Sequence, residues 1–400
     1  MLKKLHSSIG LVFTTIFLDK LGENIVYPLL PFILAAYKPD ALTLGLVASI
    51  STLFSVLVGP LVGALSDSIG RRPLILICIF INVISLLLFG WAGSLTMVLF
   101  SRALNGIGTS NAGTLQAYIT DISSPEKRAR NLGLSGAAFG LGAIAGPALG
   151  GGLVGLGASV PVFVAAGLAG YNLLSATLLL KESLPAERRQ PPRWSAINIV
   201  RPIVRLVSQK TINRISIAFA AFNLAFSAFT NLLVLALKDQ FGWAPTQVSI
   251  FFVVVGVTLT ACQIGVIGWA VRHWGEWQIN RTGMGLVAVG ILCIPAGHLF
   301  AARAGISIML GAVLLAIGAA FTVPTARSLV SSLVNDRQQG VTLGSLASLS
   351  GIASAAGPVI AGWIYDQSTL ASFAFEAIIC TLGIVLMGRA QKPARPAIPS

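Results

Sequence analysis

Long apolar segments alternate with short polar turns along almost the whole chain. Twelve segments can be distinguished, and most of them reach the ~20 residues that a helix needs to cross a bilayer. They span residues 8–36, 43–65, 73–92, 95–120, 131–156, 160–180, 211–237, 246–271, 280–300, 305–333, 340–365 and 370–388. The pattern predicts an all-α membrane protein with twelve transmembrane helices.

Composition supports the bilayer as the main solvent. Hydrophobic residues make up 55% of the chain, charged residues only 10%, and the mean hydropathy is +0.85. Soluble domains carry ~25% charged residues. A soluble protein with one very large core is the alternative, but 400 residues could not bury so many uncharged segments of this length.

The net charge of +14 is distributed unevenly between the two membrane faces. If the twelve segments cross in turn, 21 of the 27 Lys and Arg residues lie on the face that carries the N-terminus. Positive charge is retained in the cytoplasm during insertion, so we expect both termini in the cytoplasm of a multi-pass inner-membrane protein. The basic charge therefore reports topology, with attraction to membrane lipid as a secondary effect, and predicts no nucleic-acid partner.

The first apolar segment also has to be distinguished from a cleavable signal sequence. Asp19, Lys20 and Glu23 interrupt it, and no Ala-x-Ala site follows. These features favour a retained transmembrane helix.

The two halves of the chain carry the same glycine pattern. Gly140, Gly146, Pro147 and Gly151 recur 211 residues later as Gly351, Gly357, Pro358 and Gly362. The spacing of Gly63, Asp67 and Gly70 recurs 205 residues later as Gly268, Arg272 and Gly275. We therefore expect two six-helix bundles in the same orientation, residues 1–181 and 211–400, related by a pseudo-two-fold axis along the membrane normal.

A cytoplasmic linker, residues 182–210, separates the predicted bundles. Its stretch Trp194–Val207 places apolar residues at helical spacing beside Arg201 and Arg205. An interfacial amphipathic helix and a loosely ordered segment are both compatible with this pattern, because Pro202 interrupts it.

Four motifs together resemble those of a known transporter family. The turn after the second segment contains Gly63-x3-Asp67-x2-Gly70-Arg71, which resembles the signature loop of the major facilitator superfamily. The first segment, with Asp19 and Tyr27, is similar to the first helix of tetracycline-type efflux pumps. The fourth segment carries the Arg102-x3-Gly106-x-Gly108 pattern of twelve-helix drug:proton antiporters.

The fifth segment narrows the resemblance to antiport. It contains Gly142, Gly146, Pro147, Gly150 and Gly151, which resemble the antiporter motif of the same pumps. The glycines share one helix face and permit close approach of another helix, and plain helix packing is the alternative role. Glu23 departs from the tetracycline pumps, which have a small residue there.

The resemblance implies the major facilitator fold, alternating access and export of small molecules by proton antiport. It also implies that Asp67 and Arg71 bridge to Asp121 and to the start of the eleventh helix, which gates the transporter. Arg327, late in the tenth segment, either joins this gate or anchors at the headgroups.

Ionisable residues inside the apolar segments indicate where a proton would be carried. A charge in the bilayer costs ~2.5–3.5 kcal/mol on insertion scales, so Asp19, Glu23, Arg102 and Glu376 are candidates for proton coupling. The first three reach similar depth, and Asp19 and Glu23 share a helix face. Arg102 is therefore a possible partner of either acid, with Lys20 as a competing partner and a static ion pair as the alternative role.

The candidate substrate wall combines large aromatic faces with a few polar groups. It comprises Tyr27, Asn111, Gln116, Tyr118, Phe139, Phe222, Asn223, Phe226, Asn231, Gln263 and Phe321. Such a lining suits lipophilic and cationic compounds. For each aromatic residue, packing against lipid is the competing interpretation.

Other classes of function find little support in the sequence. The cysteines and histidines show no metal-ligand spacing, and no Gly-x4-Gly-Lys-Ser/Thr loop for ATP occurs. We expect no enzyme activity, cofactor or metal, and a monomer that exchanges a small molecule for protons. A metabolite or sugar exporter of the same fold and a transport-inactive receptor remain the alternatives.

Overall fold

The computed structural model describes residues 2–191, 198–297 and 304–389, with side chains from residue 9 onward except those of residues 129, 336 and 337. Every regular secondary-structure element in this part of the chain is a helix. The elements before the linker are α1 (Leu2–Val26), α2 (Leu30–Ile33), α3 (Ala41–Ile69), α4 (Arg71–Gly90), α5 (Leu95–Gly108), α6 (Ala112–Asp121), α7 (Pro125–Val154) and α8 (Val160–Leu179). They are followed by α9 (Val200–Ser208), α10 (Asn213–Phe241), α11 (Pro245–Ala261), α12 (Ile267–Ala296), α13 (Ala304–Ser332), α14 (Asp336–Gln367) and α15 (Thr369–Gly388).

Nine helical stretches within the described residues are long and apolar enough to cross a membrane. One of them, Pro245–Ala296, has 52 residues and includes a π-helical turn at Cys262–Val266. At about 1.5 Å per residue it is more than twice the ~30 Å hydrocarbon thickness, so it accounts for two crossings. Together with α1 and the α5–α6 pair, these stretches correspond to the twelve predicted segments.

Polar residues fix where several helices begin. The Asp40 carboxylate accepts a hydrogen bond of 2.8 Å from the Thr43 backbone N–H and caps α3. Hydrogen bonds from Thr43 hold the pKa of Asp40 below its ordinary value. Ser94 and Ser368 cap α5 and α15 in the same way.

The two glycines that end the repeated hinge motifs have the same unusual backbone conformation. Gly70, between α3 and α4, has φ 120° and ψ 158°. Gly275, 205 residues later and inside α12, has φ 79° and ψ 154°. Residues with a side chain rarely adopt positive φ, so glycine is required at both turns. The duplication seen in the sequence is thus repeated in local backbone structure.

Two predicted segments are interrupted in the structure. The first was expected to continue to residue 36, but α1 ends at Val26, and a 3₁₀ turn begins at Tyr27, where Pro28 cannot donate a backbone hydrogen bond. The fourth was expected as one helix, but it divides into α5 and α6. The Thr109 and Ser110 hydroxyls donate to the carbonyls of Asn105 and Ile107, and such bonds compete with helix propagation.

The described chain forms two compact units. Unit 1 comprises the described residues of 1–198 and 231–256, and unit 2 comprises the described residues of 199–230 and 257–400. In unit 1, α1, α4, α6 and α8 share a core cluster that includes Val12, Ile75, Tyr118 and Ala176. In unit 2, α12 and α13 pack along their length, with Ala270, Ile279 and Phe321 in one core cluster. The domain boundaries at residues 181 and 211 stay a prediction.

The predicted amphipathic stretch Trp194–Val207 is only partly covered, since residues 192–197 lie outside the described residues. Its second part forms α9.

Candidate functional site

Asp19 on α1 is hydrogen-bonded to a buried asparagine side chain on α8. The Asn172 side chain on α8 donates from Nδ2 to Asp19 Oδ1 over 3.0 Å and approaches the Thr15 carbonyl at 3.4 Å. Asn172 is fully buried, and its Oδ1 has no hydrogen-bond partner in the described part of the chain. A buried amide with one free acceptor can serve either protonation state of the acid, since it donates to a carboxylate and, after rotation, accepts from a carboxylic acid.

Glu23 is paired with Lys20 and not with Arg102. The Lys20 Nζ lies 2.6 Å from Glu23 Oε2 and 5.1 Å above the ring of Phe139 on α7. The sequence left open which cation Glu23 would meet. One helical turn separates the two residues, so they can pair without help from another helix.

Arg102 on α5 is buried without an ion-pair contact among the described residues. Its guanidinium carbon lies 5.9 Å from the centroid of the Phe89 ring, and its Nε has no hydrogen-bond partner there. Only 5% of the residue is exposed. A buried guanidinium with an open donor is unusual, because an uncompensated charge is costly to desolvate.

One narrow cavity in unit 1 brings these charges together. It is lined by Asp19, Glu23 and Arg102, together with Gly22, Val26, Asn82, Leu86, Asn105 and Thr109. The three residues therefore share a site, as their depths predict. With Lys20, the cavity region holds two acids and two cations.

A hydrogen-bonded chain of polar side chains supports the cavity. Ser51 Oγ donates to Asn105 Oδ1 over 2.8 Å, and Asn105 Nδ2 donates to Asn82 Oδ1 over 2.8 Å. The chain joins α3, α5 and α4. A Cβ at Gly106 would collide with the Ser51 carbonyl oxygen, and one at Gly108 would lie 2.6 Å from the Asn82 backbone nitrogen. These glycines therefore allow the three helices to approach closely enough for the polar chain to close.

Sequence reasoning missed Asn82, Asn105 and Asn172. Each is an amide in an otherwise apolar segment, and a buried amide in hydrocarbon requires a partner. That rarity is the signal that could have drawn attention to them.

The glycines of the fifth-segment motif face α1. A Cβ at Gly142 would lie 2.9 Å from the Leu21 backbone nitrogen, and one at Gly146 would lie 2.5 Å from Asn24 Cβ. At Gly150 the nearest atom is the Ile25 carbonyl oxygen, at 2.5 Å. The three positions therefore form the surface against which the Asp19 helix packs.

The remaining motif residues have different surroundings. A Cβ at Gly151 would collide with the Ser249 side chain on α11. Pro147 lies inside α7 without ending it.

The hinge residues form a charged cluster at the α3–α4 turn. Arg71 Nη1 lies 2.5 Å from Asp67 Oδ1, and Arg71 Nε lies 3.2 Å from Asp121 Oδ2 at the end of α6. Glu182 accepts hydrogen bonds from the backbone N–H groups of Arg71 and Arg72, at 2.9 and 3.2 Å. A carboxylate is favoured at a helix N-terminus, so Glu182 stabilises the start of α4.

The family resemblance implied the contact of Asp67 and Arg71 with Asp121, but Glu182 was not identified from the sequence. Gly63 has no atom within 4 Å of a hypothetical Cβ. The bridge to α14 stays a prediction.

In unit 2, Arg327 is exposed on α13, while its neighbour Ser328 donates to Glu276 over 2.6 Å.

Glu376 in unit 2 has no ion-pair partner among the described residues. It is fully buried on α15, its Oε1 lies 3.4 Å from Ser372 Oγ, and its Oε2 has no hydrogen-bond partner in the described residues.

The predicted wall residues divide into exposed and core positions. In unit 1, Phe139 and Gln116 are exposed, Asn111 is buried, and Tyr27 hydrogen-bonds to Asn231. Tyr118 is also in unit 1, but it belongs to the core, and its hydroxyl donates to the Lys181 carbonyl over 2.7 Å.

In unit 2, Gln263 is exposed in the π-helical turn. Phe222 is buried, and its ring stacks on that of Phe226 at 5.5 Å between centroids. Asn223 Nδ2 donates to the Phe219 carbonyl. Phe321 is buried in a core cluster.

These features define a multi-pass, helical membrane protein with a charged cavity inside one unit. A family model described as Major Facilitator Superfamily matches residues 12–305 and 282–400. The chain belongs to the major facilitator superfamily, a family of transporters.

Known relatives agree with this assignment over nearly the whole chain. The tetracycline resistance protein, class C, of Escherichia coli is 31% identical over 368 residues, which cover 91% of both chains. Multidrug resistance protein 2 of Bacillus subtilis (strain 168) is 24% identical, with coverage of 94% and 93%. The crystal structure of the human organic anion transporter MFSD10 (TETRAN) shares the fold, with a TM-score of 0.72, 24% identity and coverage of 96% and 99%.

Proposed function

We propose that this protein exports lipophilic small molecules across the cytoplasmic membrane in exchange for protons, with both termini in the cytoplasm. The observation that carries the proposal is the cavity in unit 1, where Asp19, Glu23 and Arg102 meet inside membrane-spanning helices. Similarity to a tetracycline resistance protein supports drug export, and tetracycline is the first substrate to test.

Asp19 is the acid best suited to exchange a proton. Glu23 already has a cation at 2.6 Å, which stabilises its ionised form. Asp19 has instead a neutral amide partner, which can serve both of its protonation states. We therefore assign the proton to Asp19 and a supporting role to the Lys20–Glu23 pair.

The charges of the cavity indicate how substrate and proton are linked. With Asp19 ionised, Asp19, Lys20, Glu23 and Arg102 sum to zero, and protonation of Asp19 makes the sum +1. A substrate with a positive centre is repelled by the second state more than by the first. Its binding therefore favours release of the proton, and by reciprocity protonation favours release of the substrate. This is the coupling that antiport requires.

The other predicted residues keep the roles predicted from the sequence, and the gate keeps the role implied by the family. Asp67, Arg71 and Asp121 gate the conformational change, with Gly63 and Gly70 shaping their turn. Wall contacts are assigned to the predicted residues outside the core clusters. In unit 1 these are Tyr27, Asn111, Gln116, Phe139 and Asn231, and in unit 2 they are Phe222, Asn223, Phe226 and Gln263. Glu376 serves as the reserve candidate for the proton.

Proteoliposomes with an imposed pH gradient test the proposal. Wild-type protein should accumulate tetracycline or a lipophilic cation against its gradient and should stop when the pH gradient is dissipated. Transport of sugars or polar metabolites alone would support the alternative exporter. Binding without transport in any gradient would identify a receptor and contradict the proposal.

A further inference from the structure

The short linker helix α9 presents chemically different sides. Leu206 is 2% exposed, and α9 packs through this side on α14. Val200 and Val204, one turn apart, are 69% and 56% exposed. Arg201 and Arg205, also one turn apart, are exposed on a neighbouring side. Exposed valines beside a basic stripe are typical of a helix that lies in the membrane interface.

A cleft of about 120 Å³ opens between α9 and the first turns of α14. Its lining consists of Pro202, Arg205, Leu206 and Gln209 from the linker side and Gln338, Val341, Thr342 and Ser345 from α14. The polar groups include one guanidinium, two amides and two hydroxyls, and none of the described lining side chains is a carboxylate. Ser345 already donates to the Val341 carbonyl. The donors that face a ligand are therefore Arg205, Gln209, Gln338 and Thr342. This set of donors suits a phosphate oxyanion.

The linker side of the cleft carries charge of one sign. Residues 199–214 contain Arg201, Arg205, Lys210 and Arg214 and no acidic residue. A soluble anion would be attracted by this charge but would leave Val200 and Val204 in water. A phospholipid satisfies both features, because its phosphate can enter the cleft while its acyl chains cover the valines.

We propose that the cleft between α9 and α14 binds the headgroup of an anionic phospholipid. Arg205 contacts the phosphate, Gln209, Gln338 and Thr342 donate further hydrogen bonds, and Val200 and Val204 enter the acyl region. All lining residues of the cleft belong to unit 2, and none of them lines the charged cavity, so the site does not depend on the proposed transport mechanism.

Lipid retention by the purified full chain tests the site. The protein is placed in phosphatidylcholine nanodiscs with increasing phosphatidylglycerol, and retained lipids are counted by native mass spectrometry. One basic residue near an anionic surface corresponds to about a fivefold change in binding, so Arg205→Gln should weaken phosphatidylglycerol retention by about that factor. Arg128→Gln, which removes another exposed cation, from α7, is the matched control and should change retention little.

Equal losses in the two variants would show a general surface charge effect and overturn the proposal, as would an absence of preference for phosphatidylglycerol. Glycerol phosphate distinguishes a lipid from a free anion, since a lipid site should resist this soluble competitor. Effective competition would instead identify a site for soluble phosphate. A nitroxide on Val204→Cys should collide with oxygen more than with a water-soluble nickel complex, measured against wild type labelled identically. The reverse preference would place α9 in water and contradict the proposal.

Discussion

The contact between α7 and α1 can be tested by adding a single methyl group at Gly146. Gly146 lies against Asn24, in the helix that carries Asp19, and a Cβ at this position would lie 2.5 Å from Asn24 Cβ and 2.7 Å from the Asn24 carbonyl carbon. Ordinary van der Waals contacts begin at about 3.4 Å. The substitution Gly146→Ala therefore requires the two helices to separate by about 0.9 Å, because a backbone atom cannot move away by changing rotamer.

The size of the effect follows from two opposing contributions. Alanine is favoured over glycine inside a helix by about 1 kcal/mol. Overpacking a tight contact costs about 1–3 kcal/mol. Gly136 lies on the same helix with no atom within 4 Å of a hypothetical Cβ, so Gly136→Ala gains only the first contribution. The free energies of unfolding of the two variants should differ by about 1–3 kcal/mol, with Gly146→Ala the less stable.

Unfolding with sodium dodecyl sulfate in mixed micelles measures this difference, and initial transport rates from the same preparations measure its functional consequence. Gly146→Ala should also transport more slowly, since a displacement of α1 changes the position of Asp19 relative to Asn172. Equal stability of the two variants would refute the inferred close packing. A stable Gly146→Ala protein with slow transport would indicate that the motif acts in the conformational cycle and not in packing.

Three further predictions concern other parts of the chain. Asp67→Asn and Arg71→Ala should slow turnover while equilibrium substrate binding in the same samples stays close to wild type, and a loss of binding would contradict a gating role. Asn172→Leu should shift the pH dependence of transport, because Asp19 loses the partner that serves both of its protonation states, and an unchanged pH profile would remove Asn172 from the mechanism. Asp40→Ala should lower the free energy of unfolding by about 1 kcal/mol through loss of the α3 cap, whereas Asp40→Asn should cost much less, as thermal unfolding would show.

The stability contributed by Asp40 should also depend on pH. Hydrogen bonds from Thr43 lower its pKa in the folded protein, so the contribution is present above the unfolded pKa of about 3.8 and is lost as the pH falls through the lower folded pKa. The wild type should therefore lose part of its advantage over Asp40→Ala at acidic pH, and a constant difference would contradict this origin.

Much of the helical arrangement could be read from spacing alone. Membrane-spanning length predicted the segments, and the 205-residue offset predicted that Gly70 and Gly275 are equivalent positions, both of which have positive φ. Such features can be predicted from the sequence because they are local. A turn with positive φ or a tight helix contact requires a small residue, usually glycine, at that position.

The polar contacts of the site could not be predicted in the same way. Depth along the helices placed Asp19, Glu23 and Arg102 in one layer, but the partner of each depends on helix rotation and side-chain direction. Lys20 reaches Glu23 within one turn, whereas Asn172 reaches Asp19 from a position 153 residues away. No spacing rule connects residues so far apart.

Proton release on substrate binding is the most direct test of the central claim that Asp19 couples transport to protons. Tetracycline is added to purified protein in weakly buffered detergent solution, and a pH-indicator dye records the released protons. Wild type should release protons on binding, Glu376→Gln should do the same, and Asp19→Asn should bind tetracycline without release. Release that persists in Asp19→Asn and disappears in Glu376→Gln would contradict the account and move the proton to unit 2.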